Sequence, residues 1–234
     1  MIHLAILAGG QSTRAGGSDS APPKQFREVG GRMLILHAVQ ELLRAPGIVD
    51  VTVVVHDPWR PLVEAALGAA ALPVPCALAP AGEHRTASSW NAVQAITAAD
   101  DDLVAIHDAA RPFATHHLLA RVAEAAARHG AAVPAVPLHD TVVQLVEDGA
   151  VAAYLDRGAL AAVQTPQVFR YADLRAAHAW CAQAGLAFTD DGGLLAARGL
   201  RPVVVMGEES NWKVTTAEDW QRVEASCAAP RSSL

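Results

Sequence analysis

Three cysteines, Cys76, Cys181 and Cys227, are all the thiol chemistry that 234 residues carry. They are scattered and odd in number, and no pair has metal-ligand or redox spacing. That excludes a disulfide scaffold and a zinc module and favours a reducing, cytoplasmic compartment. No apolar run is long enough to span a bilayer, and no basic segment precedes one, so neither a membrane anchor nor a signal peptide is expected. Positive charge is also scarce. A formal net charge of −6 with no basic face excludes a general nucleic-acid binder. Aromatic residues are few, at 5%, while 52% of the chain is hydrophobic, with Ala and Val prominent. Such a composition suits apolar inner strands and alanine-rich helices.

Apolar runs alternate with amphipathic segments along the chain. Strands are predicted over 2–7, 49–55, 74–78, 103–106, 131–136 and 202–205, and helices over 33–44, 58–70, 85–98, 115–129, 171–184 and 216–226. This alternation predicts an α/β fold with a mostly parallel sheet covered by helices on both faces. No internal repeat and no long linker interrupts it, so residues 1–234 are expected to form a single domain with a frayed tail over 228–234. One segment breaks the rhythm. Two β-prone runs flank Glu147-Asp148-Gly149, a hairpin signal. A hairpin has no obvious place in a parallel sheet, and its edges need a partner. Residues 138–157 are therefore expected to form a projecting arm, a contact for a second copy; folding back onto its own subunit is the alternative.

Ligands of an open parallel sheet bind beyond the carboxyl ends of the strands, and the polar residues follow the apolar runs accordingly. After the first run comes Leu7-Ala8-Gly9-Gly10-Gln11-Ser12-Thr13-Arg14, then Pro23-Lys24-Gln25. The glycines alone fit either an ordinary turn or a phosphate cradle; the preceding strand and the cations Arg14 and Lys24 favour the cradle. No Gly-Lys-Ser/Thr ending and no dinucleotide glycine spacing is present, which excludes a P-loop ATPase and a nicotinamide-dependent dehydrogenase. After the fourth run comes His107-Asp108-Ala109-Ala110-Arg111-Pro112. Asp108 at a strand end beside a polyphosphate suits Mg²⁺, a helix cap or a partner for Arg111 being the plainer readings. His107 is given no chemical role. Gly82-Glu83-His84-Arg85-Thr86-Ala87-Ser88 opens a helix whose amides, with Ser88, suit a base or a phosphate. Gln164-Thr165-Pro166-Gln167 reads as a rigid substrate-facing loop, and Thr189-Asp190-Asp191-Gly192 as a possible helix cap. Asn211-Trp212-Lys213-Val214-Thr215 offers a third cation, or a plain surface lysine.

In order and spacing, these blocks resemble the 2-C-methyl-D-erythritol 4-phosphate cytidylyltransferases. The resemblance covers nearly the whole chain, and its Asp-Ala-Ala-Arg-Pro and Thr-Pro-Gln blocks are the specific ones. It implies a Rossmann-like, GT-A-type nucleotidyltransferase fold, a homodimer built through the arm, CTP as co-substrate and Mg²⁺. It places transition-state cations on Arg14, Lys24 and Lys213, and nucleotide contacts on Ala8, Gly9, Gly10, Gly82, Glu83, Ser88 and Ala109. The metal-binding carboxylate falls on Asp108. Acceptor contacts fall on Asp108, Arg111 and Thr165, and on Thr141 and Arg157 of the arm, Arg157 also taking a catalytic place. Three departures stand out. The first loop is one residue longer than in many members, and Ser210 replaces an acidic residue that some carry before Asn211, leaving Glu209 or no second carboxylate. The Leu-Ala-Gly-Gly start and the residues from Arg111 to His116 also resemble ribitol-5-phosphate cytidylyltransferases. A polyol-phosphate cytidylyltransferase is the implied activity; a non-catalytic nucleotide-binding module is the competing class.

Overall fold

The computed structural model describes residues 1–10 and 22–228. Its first strand, β1 (Ile2–Leu7), is buried along its whole length. A small antiparallel hairpin, β2 (Glu28–Val29) and β3 (Arg32–Met33), runs directly into helix α1 (Leu34–Leu42). Three strand–helix units follow: β4 (Ile48–Val55) with α2 (Arg60–Ala69), β5 (Cys76–Pro80) with α3 (Arg85–Ala95), and β6 (Leu103–Asp108) with α4 (His116–His129). Helix α4 shows why these boundaries fall where they do. The Thr115 side chain accepts a hydrogen bond from the Leu118 amide at its start, and Gly130 ends it with φ +84° after Arg128 and His129. The chain continues through β7 (Ala131–Pro137), a hairpin of β8 (Val142–Leu145) and β9 (Val151–Leu155), β10 (Ala161–Val163) and β11 (Gln167–Arg170). It closes with α5 (Tyr171–Ala184), α6 (Asp191–Ala197), β12 (Val203–Met206) and α7 (Ala217–Ala228).

Eight strands form the main sheet in the order β10-β7-β11-β6-β1-β4-β5, with β12 pairing β7. The run β6-β1-β4-β5 is parallel, as is β7 with β12, whereas β11 lies antiparallel between β6 and β7. Alternating side chains feed two cores. From β1 and β4, Leu4, Ile6, Val51 and Val53 face α1, α2 and α4, while Ala5, Leu7 and Val54 face α3, α5 and α6. The α/β, doubly covered architecture expected from the sequence is what forms.

Strand β11 is the main correction. The residues around 164–167 were expected to be a loop, but Gln167 begins a central strand and is fully buried. Its side-chain amide is what makes this possible: Nε2 donates to Asp190 Oδ2 (2.6 Å) and Oε1 accepts from the Gly192 amide (3.0 Å). A polar residue satisfied in this way can sit where a hydrophobic pattern has no place for it. The other strands the sequence does not show, β2, β3 and β10, are two or three residues long.

A hairpin forms within 138–157. Strands β8 and β9 pair only with each other, joined through a turn at Asp148 and Gly149, the latter at φ +84°. Leu145, Val146, Val151 and Tyr154 are exposed on it, Tyr154 to 76%. The fold yields one stability test. Phe169 of β11 is fully buried between the α3 and α5 side chains, so Phe169→Ala is expected to lower the unfolding free energy by about 3–5 kcal/mol, read from urea denaturation curves.

Candidate active site

Register builds the site. Leu7 of β1 lies opposite Asp108 of β6, so both strands end at the same level. The Ala109 amide donates to Leu7 O (3.0 Å), the Ala8 amide to Val54 O (2.9 Å) and the Ala81 amide to Val55 O (3.0 Å). The three loops after β1, β6 and β5 therefore leave the same end of the sheet. Between them lies a cavity of about 480 Å³, reached by Gly9, Gly10, Lys24, Glu83, Ser88 and Lys213.

Close backbone approach, not a special dihedral, explains the key glycines. A Cβ on Gly9 would stand 2.8 Å from Ala81 Cβ and 3.2 Å from Ser88 Oγ; one on Gly82 would stand 2.4 Å from Ala87 Cβ. Gly82 also donates its amide to Ser88 Oγ (3.0 Å), which closes the loop onto α3. Gly10, by contrast, faces open space. Two side chains that sequence reasoning passed over hold the glycine loop. Buried Gln25 donates from Nε2 to the carbonyls of Ala8 (2.8 Å) and Gly10 (2.7 Å). His56 Nε2 bonds Gly9 O at 2.8 Å.

A chain of ions built on two buried carboxylates, Asp108 and Asp191, forms one wall. Lys213 Nζ contacts Asp108 Oδ2 (2.7 Å), and Arg85 Nε contacts Asp108 Oδ1 (3.2 Å). Arg85 reaches on through Nη1 to Asp191 Oδ2 (2.7 Å). Asp191 is then completed by Ser89 Oγ (2.6 Å) and His178 Nε2 (2.9 Å). Burial by itself raises a carboxylate pKa; for Asp108, Arg85 and Lys213 outweigh it and hold the group well below the usual carboxylate range. For Asp191, Arg85 and His178 do the same. Burial pushes His107 down to about 4, so its ring is neutral near pH 7, bonded to Arg111 O (3.0 Å) and Thr165 Oγ1 (3.1 Å).

The residues read from the sequence divide accordingly. Gly9, Gly10, Lys24, Gly82, Glu83, Ser88, Asp108, Ala109 and Lys213 line one cavity, and Ala8 lies directly behind it. Lys213 is no idle surface lysine, and Asp108 pairs with Arg85 and Lys213 rather than with the side chain of Arg111. Arg111 instead donates to Asn211 O (2.7 Å) and Val163 O (3.4 Å). Thr165 sits behind the pocket, where its Oγ1 accepts the Asp108 amide (3.1 Å). Thr141 and Arg157 do not line the cavity; both are exposed at the root of the arm, where Arg157 bonds His139 O. Glu209 turns to His139 (3.3 Å) and Glu208 to Thr115, so neither joins Asp108. Arg14 lies outside the described residues. Arg85 and Asp191 were visible in the sequence only as members of longer motifs, since nothing local marks a pair 106 positions apart.

The fold and this cavity define an α/β protein of the nucleotidyltransferase type. A family model described as IspD, 2-C-methyl-D-erythritol 4-phosphate cytidylyltransferase, matches residues 2–228, and the chain belongs to that family. It is 36% identical over 225 residues to a "Bifunctional enzyme IspD/IspF" of Bradyrhizobium sp. (strain BTAi1), covering 96% of this chain and 56% of the relative. The relative of the same name from Nitrobacter winogradskyi is 39% identical, with 96% and 55% covered. The chain thus spans about half the length of these curated relatives. Among solved structures, it resembles the 2-C-methyl-D-erythritol 4-phosphate cytidylyltransferase of Thermus thermophilus at 33% identity, TM-score 0.76, covering 97% of this chain and 98% of that one. A 4-diphosphocytidyl-2C-methyl-D-erythritol synthase from Anaerococcus prevotii shares the fold at 24% identity, TM-score 0.83, with 97% and 96% covered.

The buried ion chain has a pH signature. Carboxylates held below their unfolded pKa of about 3.9 stabilise the fold fully above that value and lose the contribution as pH falls toward the folded pKa. The urea midpoint should therefore drop between pH 7 and pH 3. Asp191→Asn is expected to cost about 3–5 kcal/mol at pH 7 and to flatten that drop; an unchanged pH dependence in the variant would contradict the assignment.

Proposed function

We propose that the chain transfers CMP from CTP to 2-C-methyl-D-erythritol 4-phosphate, releasing pyrophosphate and forming 4-diphosphocytidyl-2-C-methyl-D-erythritol. The observation that carries this reading is one cavity holding the close-packed glycine loop, Lys24, Lys213 and ionised Asp108, in a chain of the cytidylyltransferase family. An oxygen of the acceptor's phosphate attacks the α-phosphorus of CTP. The bond from that phosphorus to the β-bridging oxygen breaks, and pyrophosphate leaves. The attacking phosphate has a second pKa of about 6, so it arrives largely ionised and needs no general base. The rings around the cavity are tied up in structure: His107 is buried, neutral and fully engaged, His56 bonds Gly9 O, and His84 accepts the Ala87 amide.

Charge is what the protein must manage. Lys24 and Lys213, with Arg14, offset the negative charge that builds on the phosphoryl oxygens and on the leaving group. Gly9 and Gly82 let main-chain amides come close to the nucleotide. Asp108 is also where a divalent cation fits. Its carboxylate is ionised and reaches the cavity, and among the described residues no cluster of three His, Cys, Asp or Glu side chains would bind a cation alone. One carboxylate completed by substrate phosphates and water is the donor set Mg²⁺ takes, and when bound it neutralises triphosphate charge. Lys213, which pairs with Asp108 at 2.7 Å and lines the cavity, is placed to serve the phosphates as well.

The arm supports a homodimer. Its apolar side chains are exposed, and Thr141 and Arg157 stand outside the cavity of their own chain. A second copy's arm would bring them to the acceptor's phosphate and hydroxyls. Residues 1–234 act here as one catalytic domain, with 138–157 as the dimerisation arm. Among the described residues no helix is long and apolar enough to cross a membrane, in keeping with a cytoplasmic enzyme.

Three experiments test the reading. CTP and Mg²⁺ incubated with methylerythritol 4-phosphate, ribitol 5-phosphate and other polyol phosphates should release pyrophosphate fastest with the first; equal rates with all would remove the specific acceptor. Lys24→Ala, Lys213→Ala and Arg14→Ala should each lower kcat by about 10²-fold or more with folding intact. Mixing inactive Lys213→Ala chains with Arg157→Ala chains should restore part of the activity, because one site of each mixed dimer is whole.

A further inference from the structure

A second cavity, of about 620 Å³, opens on the other side of the segments that carry Arg111 and Lys213. Its lining includes Arg32 of β3, Arg44 beyond α1, Arg222 of α7, and the rings of Phe113 and Trp212. None of these residues reaches the front cavity. Its size is in the range that holds small organic ligands.

The charges in this cavity do not cancel. Glu41 is its one carboxylate among the lining residues, and it is already engaged, by Arg44 at 2.9 Å and by His116 Nδ1 at 2.6 Å. Arg32 donates to Gln40 Oε1 (2.7 Å), and no carboxylate of the described residues lies within 4.0 Å of it. Arg222 stacks on Trp212, its Cζ 4.4 Å from the ring centroid, also without an acidic partner among the described residues. Stacking uses the face of a guanidinium and leaves the N–H groups in its plane available to an anion. Beside these donors, Phe113 and Trp212 pack at 5.3 Å between ring centroids and provide an apolar wall.

We propose that this rear cavity is a ligand site for a small organic phosphate with an aromatic or apolar body. Two guanidinium groups without acidic partners match a dianionic phosphate, which they bind through paired N–H donors. The ring pair takes the body. The position of the site also ties it to the front. Trp212 lies between Asn211, whose amide bonds Thr165 O (2.8 Å), and Lys213, which holds Asp108. Phe113 follows two residues after Arg111, which itself bonds Asn211 O. A ligand on the rear wall thus presses on the backbone that positions Lys213 in the front cavity.

Phenyl phosphate, titrated into the full chain by calorimetry, is the probe. The wild-type chain should bind it, and Arg32→Ala combined with Arg222→Ala should weaken binding at least about tenfold. Should the double variant lose its fold, Arg32→Glu alone, a reversal on an exposed strand side chain, should give the same loss. Lys24→Ala, in the front cavity, should leave the binding in place. Inorganic phosphate should bind more weakly than phenyl phosphate. No binding to the wild type, binding indifferent to the arginine variants, or binding removed by Lys24→Ala would each overturn the proposal. Equal affinity for the two phosphates would overturn the role given to the rings.

Discussion

A carboxylate taken out of water has to be matched, and the match made for Asp108 organises the rest of the molecule. Arg85 and Lys213 reach it from opposite ends of the chain, one from the start of α3 and the other from the segment before α7. Arg85 can do so because Asp191 holds its other nitrogen, and Asp191 in turn stands on Ser89 and His178. Leaving any of these groups alone in the interior would cost more than the pair contributes, because an unpaired buried charge carries its full desolvation penalty. The strand end, the third loop and the carboxyl-terminal segment are thereby locked to one another.

The same network gives the chain a way to change state. The pair between Lys213, which is exposed to the cavity, and Asp108 is a held charge, not a spent one. On the proposed reading, phosphate oxygens in the cavity would compete with Asp108 for that ammonium group, while Arg85 would keep the carboxylate ionised. Binding can therefore re-pair charges without exposing a bare ion to the interior. The glycine loop is held as well, because Gln25 and His56 fix its carbonyls.

The parallel half of the fold was legible because its strands are short apolar runs and its helices amphipathic, so the pattern alone locates β1, β4, β6 and the layers above and below. Asp148-Gly149 announced the arm through turn chemistry in the same local way. Strand β11 was not legible. Gln164, Thr165 and Gln167 are polar, and only partners such as Asp190 and Gly192, far along the chain, make them core residues. The site divided on the same line. Gly9, Lys24, Asp108 and Lys213 stood out as types at strand ends, whereas Gln25, His56 and the reach of Arg85 to Asp191 depend on three-dimensional proximity. Resemblance to the family supplied the grouping that periodicity could not.

Lysine is otherwise missing from this protein. Lys24 and Lys213 are its only two, and both line the front cavity; every other long cation on the chain is an arginine. Primary amines thus exist at the pocket and at Met1, whose amino group rests on Asp102 at 2.8 Å. Acylating, glycating or reductively alkylating reagents find almost nothing to consume on the outer surface. Any covalent chemistry aimed at lysine side chains, whether metabolic or introduced at the bench, becomes a titration of the cavity itself.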